Sequence, residues 1–143
     1  DIGIPISAEI EDNRIKNIKE ILVHTKNKKA NHGEGKLYAS VLKNVNFISS
    51  YKFAKKIQEK GIIPYGPFVP KGSNCSRFVS ATIRKSNPSL IKNLRLQFPF
   101  SLSPSPKRNV SISNNNYYVI EKNKFEKIKR NKINGYFRGI ERK

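Results

Sequence analysis

The chain has 143 residues, of which 36% are hydrophobic, enough for an apolar core. No stretch approaches the roughly 18 consecutive apolar residues of a membrane-spanning helix, and the single cysteine excludes an internal disulfide. The net charge of +19, from 29 basic and 10 acidic residues, favours an anionic partner such as a nucleic acid or a membrane surface. Because Lys, Asn and Ile are abundant together and the basic residues are widely spread, compositional bias explains part of this charge. Nucleic-acid binding is therefore the less favoured alternative.

The first thirty residues predict a strand and then a helix. Apolar residues alternate with polar ones over residues 4–10, which is typical of a half-buried strand. Asp12-Asn13 is a turn signal. Asn17 with Glu20 three residues later predicts a capping box for a helix that ends near Lys28.

The segment before the cysteine predicts a second helix. Residues 37–45 are compatible with a strand or a short helix. Ser49 and Ser50 are good caps for a helix over residues 51–60, and Gly61 provides its C-terminal stop.

A third helix is predicted to begin at the cysteine. Residues 62–70 contain three prolines and cannot form a central strand. Asn74 follows as an N-cap for a helix over residues 75–85. One face of this helix is predicted to carry Cys75, Phe78, Val79, Thr82 and Ile83.

Prolines divide the rest of the chain. Asn87-Pro88 ends the cysteine helix, and Pro88 can start a short helix that carries Leu90, Ile91 and Leu94. Residues 98–106 predict a linker. We therefore expect a domain over residues 1–100 and a basic extension over residues 101–143 that packs on it.

The extension is predicted to contain a hairpin and a short helix. An Asn-rich turn lies between two short apolar segments, residues 110–112 and 117–120. This pattern predicts two paired strands. Phe125 and Ile128 predict a short basic helix. The residues from Asn134 onward are expected to be loosely held.

Cys75 is the strongest candidate for chemistry. The N-terminus of a helix carries partial positive charge, which favours the thiolate over the thiol. The backbone N–H of Cys75 or Ser76 offers part of an oxyanion hole. The competing interpretation is a small buried cysteine that only fills space in the core, as free cysteines often do.

Two histidines are available as the base that such a thiol needs. His32 lies in a polar, glycine-containing loop over residues 26–35 and is the preferred candidate. His24 lies on a predicted helix and is more simply explained as a surface or boundary residue. Glu34 and Asn74 are candidates for orienting the base.

Metal and cofactor binding are not expected. One cysteine and two histidines, with no second thiol or acidic cluster, do not match a zinc site at any usual spacing. Residues 33–36 are too short for a phosphate-binding loop.

Three segments together carry a family resemblance: Asn-His-Gly-Glu-Gly at 31–35, Pro-Tyr-Gly-Pro-Phe at 64–68 and Gly-Ser-Asn-Cys-Ser-Arg-Phe-Val at 72–79. They resemble an uncharacterised bacterial family, found mainly in Bacteroidetes and related to NlpC-type papain-like cysteine hydrolases. The Asn-Cys-x-x-Phe-Val pattern is similar to the permuted, lecithin:retinol acyltransferase-like branch. The resemblance covers roughly residues 1–85.

This resemblance implies a papain-like α+β fold, with the cysteine helix packed on a small antiparallel sheet. It implies Cys75 as nucleophile and a histidine earlier in the chain. A strand bearing that histidine is expected to precede Asp1 in a longer chain, if His32 is not the base.

The implied function is a bacterial thiol hydrolase or acyltransferase that acts on an amide or ester bond. The substrate is a cell-wall peptide, a lipid or a protein, and the compartment is the cytoplasm or the envelope. The alternatives are a catalytically inactive papain-like scaffold and a basic nucleic-acid-binding module.

Overall fold

The computed structural model describes residues 4–29, 34–66, 69, 72–98, 104–122 and 124–140. Helices and strands are mixed along the chain, which confirms the predicted α+β class. In chain order the elements are β1 (Ile10–Glu11), β2 (Arg14–Ile15), α1 (Ile18–Lys26), β3 (Leu37–Ser40), α2 (Phe47–Glu59), α3 (Cys75–Lys85), α4 (Leu90–Gln97), α5 (Pro106–Ser113), β4 (Asn116–Glu121), β5 (Lys124–Lys129) and α6 (Lys132–Arg138).

The chain forms two compact units. The first unit comprises Asp1–Ala39 and Tyr118–Ile128, and the second comprises Ser40–Tyr117 and Lys129–Lys143. The expected division into residues 1–100 and 101–143 stays a prediction.

The predicted strand over residues 4–10 is wrong for most of its length. Only Ile10 and Glu11 form β1, which pairs antiparallel with β2 in a short hairpin. The predicted turn is confirmed, because Asp12 and Asn13 both adopt positive φ angles (46° and 60°). Two residues in that conformation match the twist of a tight hairpin.

The predicted capping box at the start of α1 is also wrong, although Asn17 does occupy the N-cap position. The Asn17 side chain makes no cap hydrogen bond. Its Oδ1 accepts from the backbone N–H of Glu9 (3.0 Å), and its Nδ2 donates to the carbonyl of Ser7 (2.9 Å). Asn17 therefore fixes the N-terminal segment instead of capping the helix.

A three-stranded sheet has the order β3-β4-β5, so that β4 is central. Ile120 on β4 has the most buried large side chain of the described residues, with 1% of its surface exposed. The aromatic rings of Tyr118 and Phe125 stack across β4 and β5 with their centroids 5.5 Å apart. Such cross-strand pairs stabilise a sheet.

The hairpin therefore lies later in the chain than predicted. The predicted strand over residues 110–112 is part of helix α5, and the predicted helix around Phe125 is strand β5. Helix α5 begins because Ser105 accepts a hydrogen bond from the N–H of Arg108 (3.3 Å) and Pro106 occupies the first helical turn. Both features are strong helix-start signals.

Helix α2 begins earlier than predicted. Asn46, rather than Ser49 or Ser50, is its N-cap, and the Asn46 side chain accepts from the N–H of Ser49 (3.0 Å). The predicted stop at Gly61 is confirmed by its φ of +69°.

Helix α3 matches its predicted bounds, but α4 differs in detail. Helix α4 begins at Leu90 after the N-cap Ser89, not at Pro88. Its buried residue is Leu96, whereas the predicted apolar positions Leu90, Ile91 and Leu94 are exposed.

The expectation of a loosely held C-terminal end is wrong for the described residues 134–140. Helix α6 packs against α5 in the second unit. The hydroxyl of Tyr136 donates to the carbonyl of Phe98 (2.6 Å), and the side chain of Ile140 is buried. The guanidinium of Arg108 donates to the carbonyls of Tyr136 and Phe137, which joins α5 to α6.

Ile120 allows a matched test of the core. Ile120→Ala is expected to lower the free energy of unfolding by about 2–5 kcal/mol, because it leaves a cavity around a side chain that is 1% exposed. The same change at Ile62, which is 100% exposed, is expected to cost less than about 0.5 kcal/mol. Urea unfolding monitored by circular dichroism measures both; equal losses would contradict the burial of Ile120.

Candidate active site

The start of α3 is built by the residue before the cysteine. Asn74 has an extended backbone (φ −140°, ψ 172°), and its Oδ1 accepts from the N–H of Arg77 (2.8 Å). Its backbone carbonyl accepts from the N–H of Phe78 (2.9 Å). These contacts confirm Asn74 as the N-cap. They leave the N–H groups of Cys75 and Ser76, in the first turn, without a helical acceptor.

Cys75 is a free, exposed thiol, which contradicts the alternative of a buried core cysteine. The face of α3 that was predicted to carry Cys75 and Val79 is therefore not the face that contains the fully buried residues of the helix. Its buried residues are Ser76 (8% exposed) and Ser80 (4%), whereas Val79 on the predicted face is 43% exposed. The cysteine lies on the accessible side of the helix.

Two buried hydrogen bonds hold α3 in this rotation. The Ser80 hydroxyl donates to the carbonyl of Leu96 on α4 (3.1 Å). The Asn109 Nδ2 on α5 donates to the carbonyl of Ser76 (2.8 Å). Within its own unit α3 thus packs against helices α2, α4 and α5, and the expected packing on a sheet stays a prediction.

The loop before Cys75 is closed by backbone contacts. The N–H of Gly66 donates to the carbonyl of Ser73 (3.0 Å), and the N–H of Ser73 donates to the carbonyl of Pro64 (2.8 Å). A Cβ at Gly72 would lie 2.8 Å from that Pro64 oxygen and 2.8 Å from the Cβ of Val69. The close approach requires glycine at position 72.

A cavity of about 540 Å³ lies beside this loop in the second unit. Gly72 and Ser73 line it and directly precede Asn74. Most of the other lining side chains are apolar, namely Phe53, Ile57, Ile62, Ile63, Pro64, Phe78 and Ala81, with Lys60 beside them. A binding pocket of this kind favours an apolar group with few polar contacts.

The candidates for the base and for its acidic orienting group fall in the first unit of the chain, whereas Cys75 belongs to the second unit. His32 lies outside the described residues. Glu34 is exposed in the first unit. His24 is half-buried on α1 and its Nε2 is buried without a hydrogen-bond partner among the described atoms.

Asn109 is the contact residue that the sequence analysis missed. It lies 33 positions after Ser76, and no local pattern links the two residues. The prediction of a strand over 110–112 also placed its neighbours in the wrong element.

Within the described part of the chain, no group of three or more His, Cys, Asp and Glu side chains is arranged to hold a metal ion. Among the same residues, no helix has the length and apolar character needed to span a membrane.

The model of one protein family, described as "Type VI secretion system effector TseH-like", matches residues 1–90. The chain belongs to this TseH-like family. The family is one of papain-like NlpC/P60 cysteine hydrolases. The matched segment contains the closed loop, Asn74 and Cys75. A search of curated proteins found no match, and a search of solved structures found none either.

The close packing at Gly72 leads to a stability prediction for the TseH-like segment. Gly72→Ala is expected to destabilise the protein by about 1–3 kcal/mol, because the added methyl group meets a backbone oxygen that cannot move alone. Gly135→Ala is the matched control. Its Cβ would lie 3.6 Å from the Ser111 oxygen, which is an ordinary contact distance. In the interior of a helix such as α6, alanine is more favourable than glycine by about 1 kcal/mol. Urea unfolding of both variants measures the difference; a Gly72→Ala protein as stable as the wild type would contradict this packing.

Proposed function

We propose that the protein is a thiol hydrolase or acyltransferase that cleaves an amide or ester bond with Cys75 as its nucleophile. The observation that carries the proposal is the exposed thiol at the first residue of an Asn-capped helix, in a chain of a cysteine hydrolase family. The finer resemblance to the permuted, lecithin:retinol acyltransferase-like branch extends the reaction from hydrolysis to acyl transfer. A Bacteroidetes-type source stays a prediction.

The reaction follows from the position of the thiol. Cys75 Sγ forms a bond to the carbonyl carbon of the substrate, and the proton of the thiol passes to a base and then to the leaving amine or alcohol. The bond between the carbonyl carbon and the leaving group breaks, which leaves a thioester on Cys75. Water, or a second nucleophile, attacks the thioester and restores the thiol.

The surrounding groups have distinct proposed roles. The N–H groups of Cys75 and Ser76, which have no acceptor within the helix, are the proposed donors to the oxyanion of the tetrahedral intermediate. Asn74 acts as a positioning residue, because its side-chain oxygen is engaged in capping the helix. His32 is the proposed base and Glu34 its proposed orienting group.

The proposed substrate is a cell-wall peptide. The family description links its members to type VI secretion, and NlpC/P60 enzymes are hydrolases of the papain-like type. The largely apolar cavity beside the loop suits the side chain or acyl group next to the scissile bond. A lipid ester and a protein amide are the competing substrates.

The test uses purified sacculi, a phospholipid ester and a denatured protein as parallel substrates. The wild type is expected to release new amino groups from sacculi, and Cys75→Ala is expected to reduce the rate by at least about 100-fold, because the nucleophile is lost. His32→Ala is expected to cause a similar loss. Val79→Ala, an exposed position on the same helix, is the control and retains activity.

Turnover that survives Cys75→Ala would overturn the assignment of the nucleophile. Turnover of the lipid ester alone, abolished by Cys75→Ala, would keep the nucleophile and replace the substrate class. No turnover of any of the three substrates by the wild type would favour the inactive scaffold.

A further inference from the structure

A second cavity, of about 160 Å³, lies among α4, α5 and α6 in the second unit. Three basic side chains line it: Lys92, Arg95 and Lys132. Its described lining contains no carboxylate. All lining residues except Ser89 lie beyond residue 90, outside the segment that the TseH-like family model matches.

An aromatic ring holds one of the three basic groups, Arg95, and no described carboxylate lines the cavity to neutralise them. The Arg95 guanidinium lies 5.2 Å from the ring centroid of Tyr136, whose hydroxyl is fixed by its bond to the Phe98 carbonyl. Burial lowers the pKa of Lys92, and the charge of Lys132 lowers it further. Positive charges thus crowd together at the cavity, and a bound anion would relieve their repulsion.

The first turn of α4 adds a second observation. Ser89 is the N-cap of this eight-residue helix, but its side chain makes no cap hydrogen bond. Ser89, Ile91 and Lys92 all line the cavity, so the positive end of the helix dipole lies at its wall. An anion there would accept from the uncapped N–H groups of the first turn.

Other polar lining groups define what can bind. The Ser111 hydroxyl is engaged with the carbonyls of Arg108 (2.9 Å) and Gly135 (2.8 Å), so it is not a free donor. The Asn115 carboxamide and the Ser89 hydroxyl remain as neutral polar groups. The site combines a planar guanidinium, two ammonium groups and a helix N-terminus, a donor set that suits the several oxygens of a tetrahedral oxyanion.

We propose that this cavity binds a phosphoryl group, held by Lys92, Arg95 and Lys132 at the N-terminus of α4. The site is separate from the cysteine chemistry and does not depend on the proposed hydrolase activity. The phosphoryl group comes either from a small soluble phosphate ester or from a phospholipid headgroup.

The first experiment titrates the full chain with inorganic phosphate at constant ionic strength and follows binding by isothermal titration calorimetry. Lys92→Gln/Lys132→Gln is expected to weaken binding by about tenfold or more, because two charge-assisted contacts are lost. The matched control is Lys52→Gln/Lys56→Gln on the exposed surface of α2, which removes the same charge and is expected to leave binding within about twofold of the wild type.

Arg95→Lys provides a second test that keeps the charge and the cavity. It is expected to weaken binding several-fold, since lysine lacks the planar guanidinium fork. Equal phosphate affinity in the wild type, Arg95→Lys and both double variants would overturn the proposal. Equal weakening in the two double variants would also overturn it, because that result assigns binding to net charge alone.

Vesicles distinguish the two sources of the phosphoryl group. Phosphatidylcholine vesicles that contain phosphatidic acid are sedimented with each variant. Weaker capture of Lys92→Gln/Lys132→Gln than of Lys52→Gln/Lys56→Gln would support the site and identify a lipid headgroup. Equal capture of these two variants, together with the tenfold difference for phosphate, would support the site and identify a soluble phosphate ester.

Discussion

The rotation of helix α3 depends on two hydrogen bonds that lie between helices. Ser80 donates to the Leu96 carbonyl, and Asn109 donates to the Ser76 carbonyl. A buried polar group without a partner costs about 1–3 kcal/mol, so these bonds strongly disfavour other rotations of the helix.

The exposure of Cys75 follows from that rotation. Successive residues of an α-helix are separated by 100°, so burial of Ser76 and Ser80 turns the preceding positions, Cys75 and Val79, toward the accessible side. The Asn74 cap then places Cys75 in the first turn, where two backbone N–H groups have no helical acceptor. The same residues that stabilise the second unit therefore present a thiol with the features that the proposed hydrolase needs.

The sequence predicts local features of this site well. The bounds of α3, its Asn74 cap and the stop at Gly61 were all predicted, because each depends on a few adjacent residues. The buried face of α3 was not predicted, because apolar spacing favours Phe78 and Val79 and gives no weight to a serine that is buried through a hydrogen bond. The partner in that bond, Asn109, is distant in sequence.

The C-terminal region shows the same limit. The Ser105-Pro106 pair signals a helix start, but Val110 and Ile112 also fit a strand, and the alternation favoured the wrong element. The basic cavity could not be predicted either, because it joins Lys92 to Lys132 across three helices. In the sequence these lysines look like any others in a chain of net charge +19.

Alkylation of Cys75 tests most directly whether the fold presents an accessible thiol, and the single cysteine makes the signal unambiguous. The rate with iodoacetamide at pH 7 is measured for the folded chain and for an unstructured peptide of residues 72–79. The exposed thiol of Cys75 is predicted to react at a rate close to that of the peptide, because the fold leaves it accessible to the reagent. A folded chain that reacts far more slowly than the peptide would contradict the exposed position of Cys75 and its nucleophilic role.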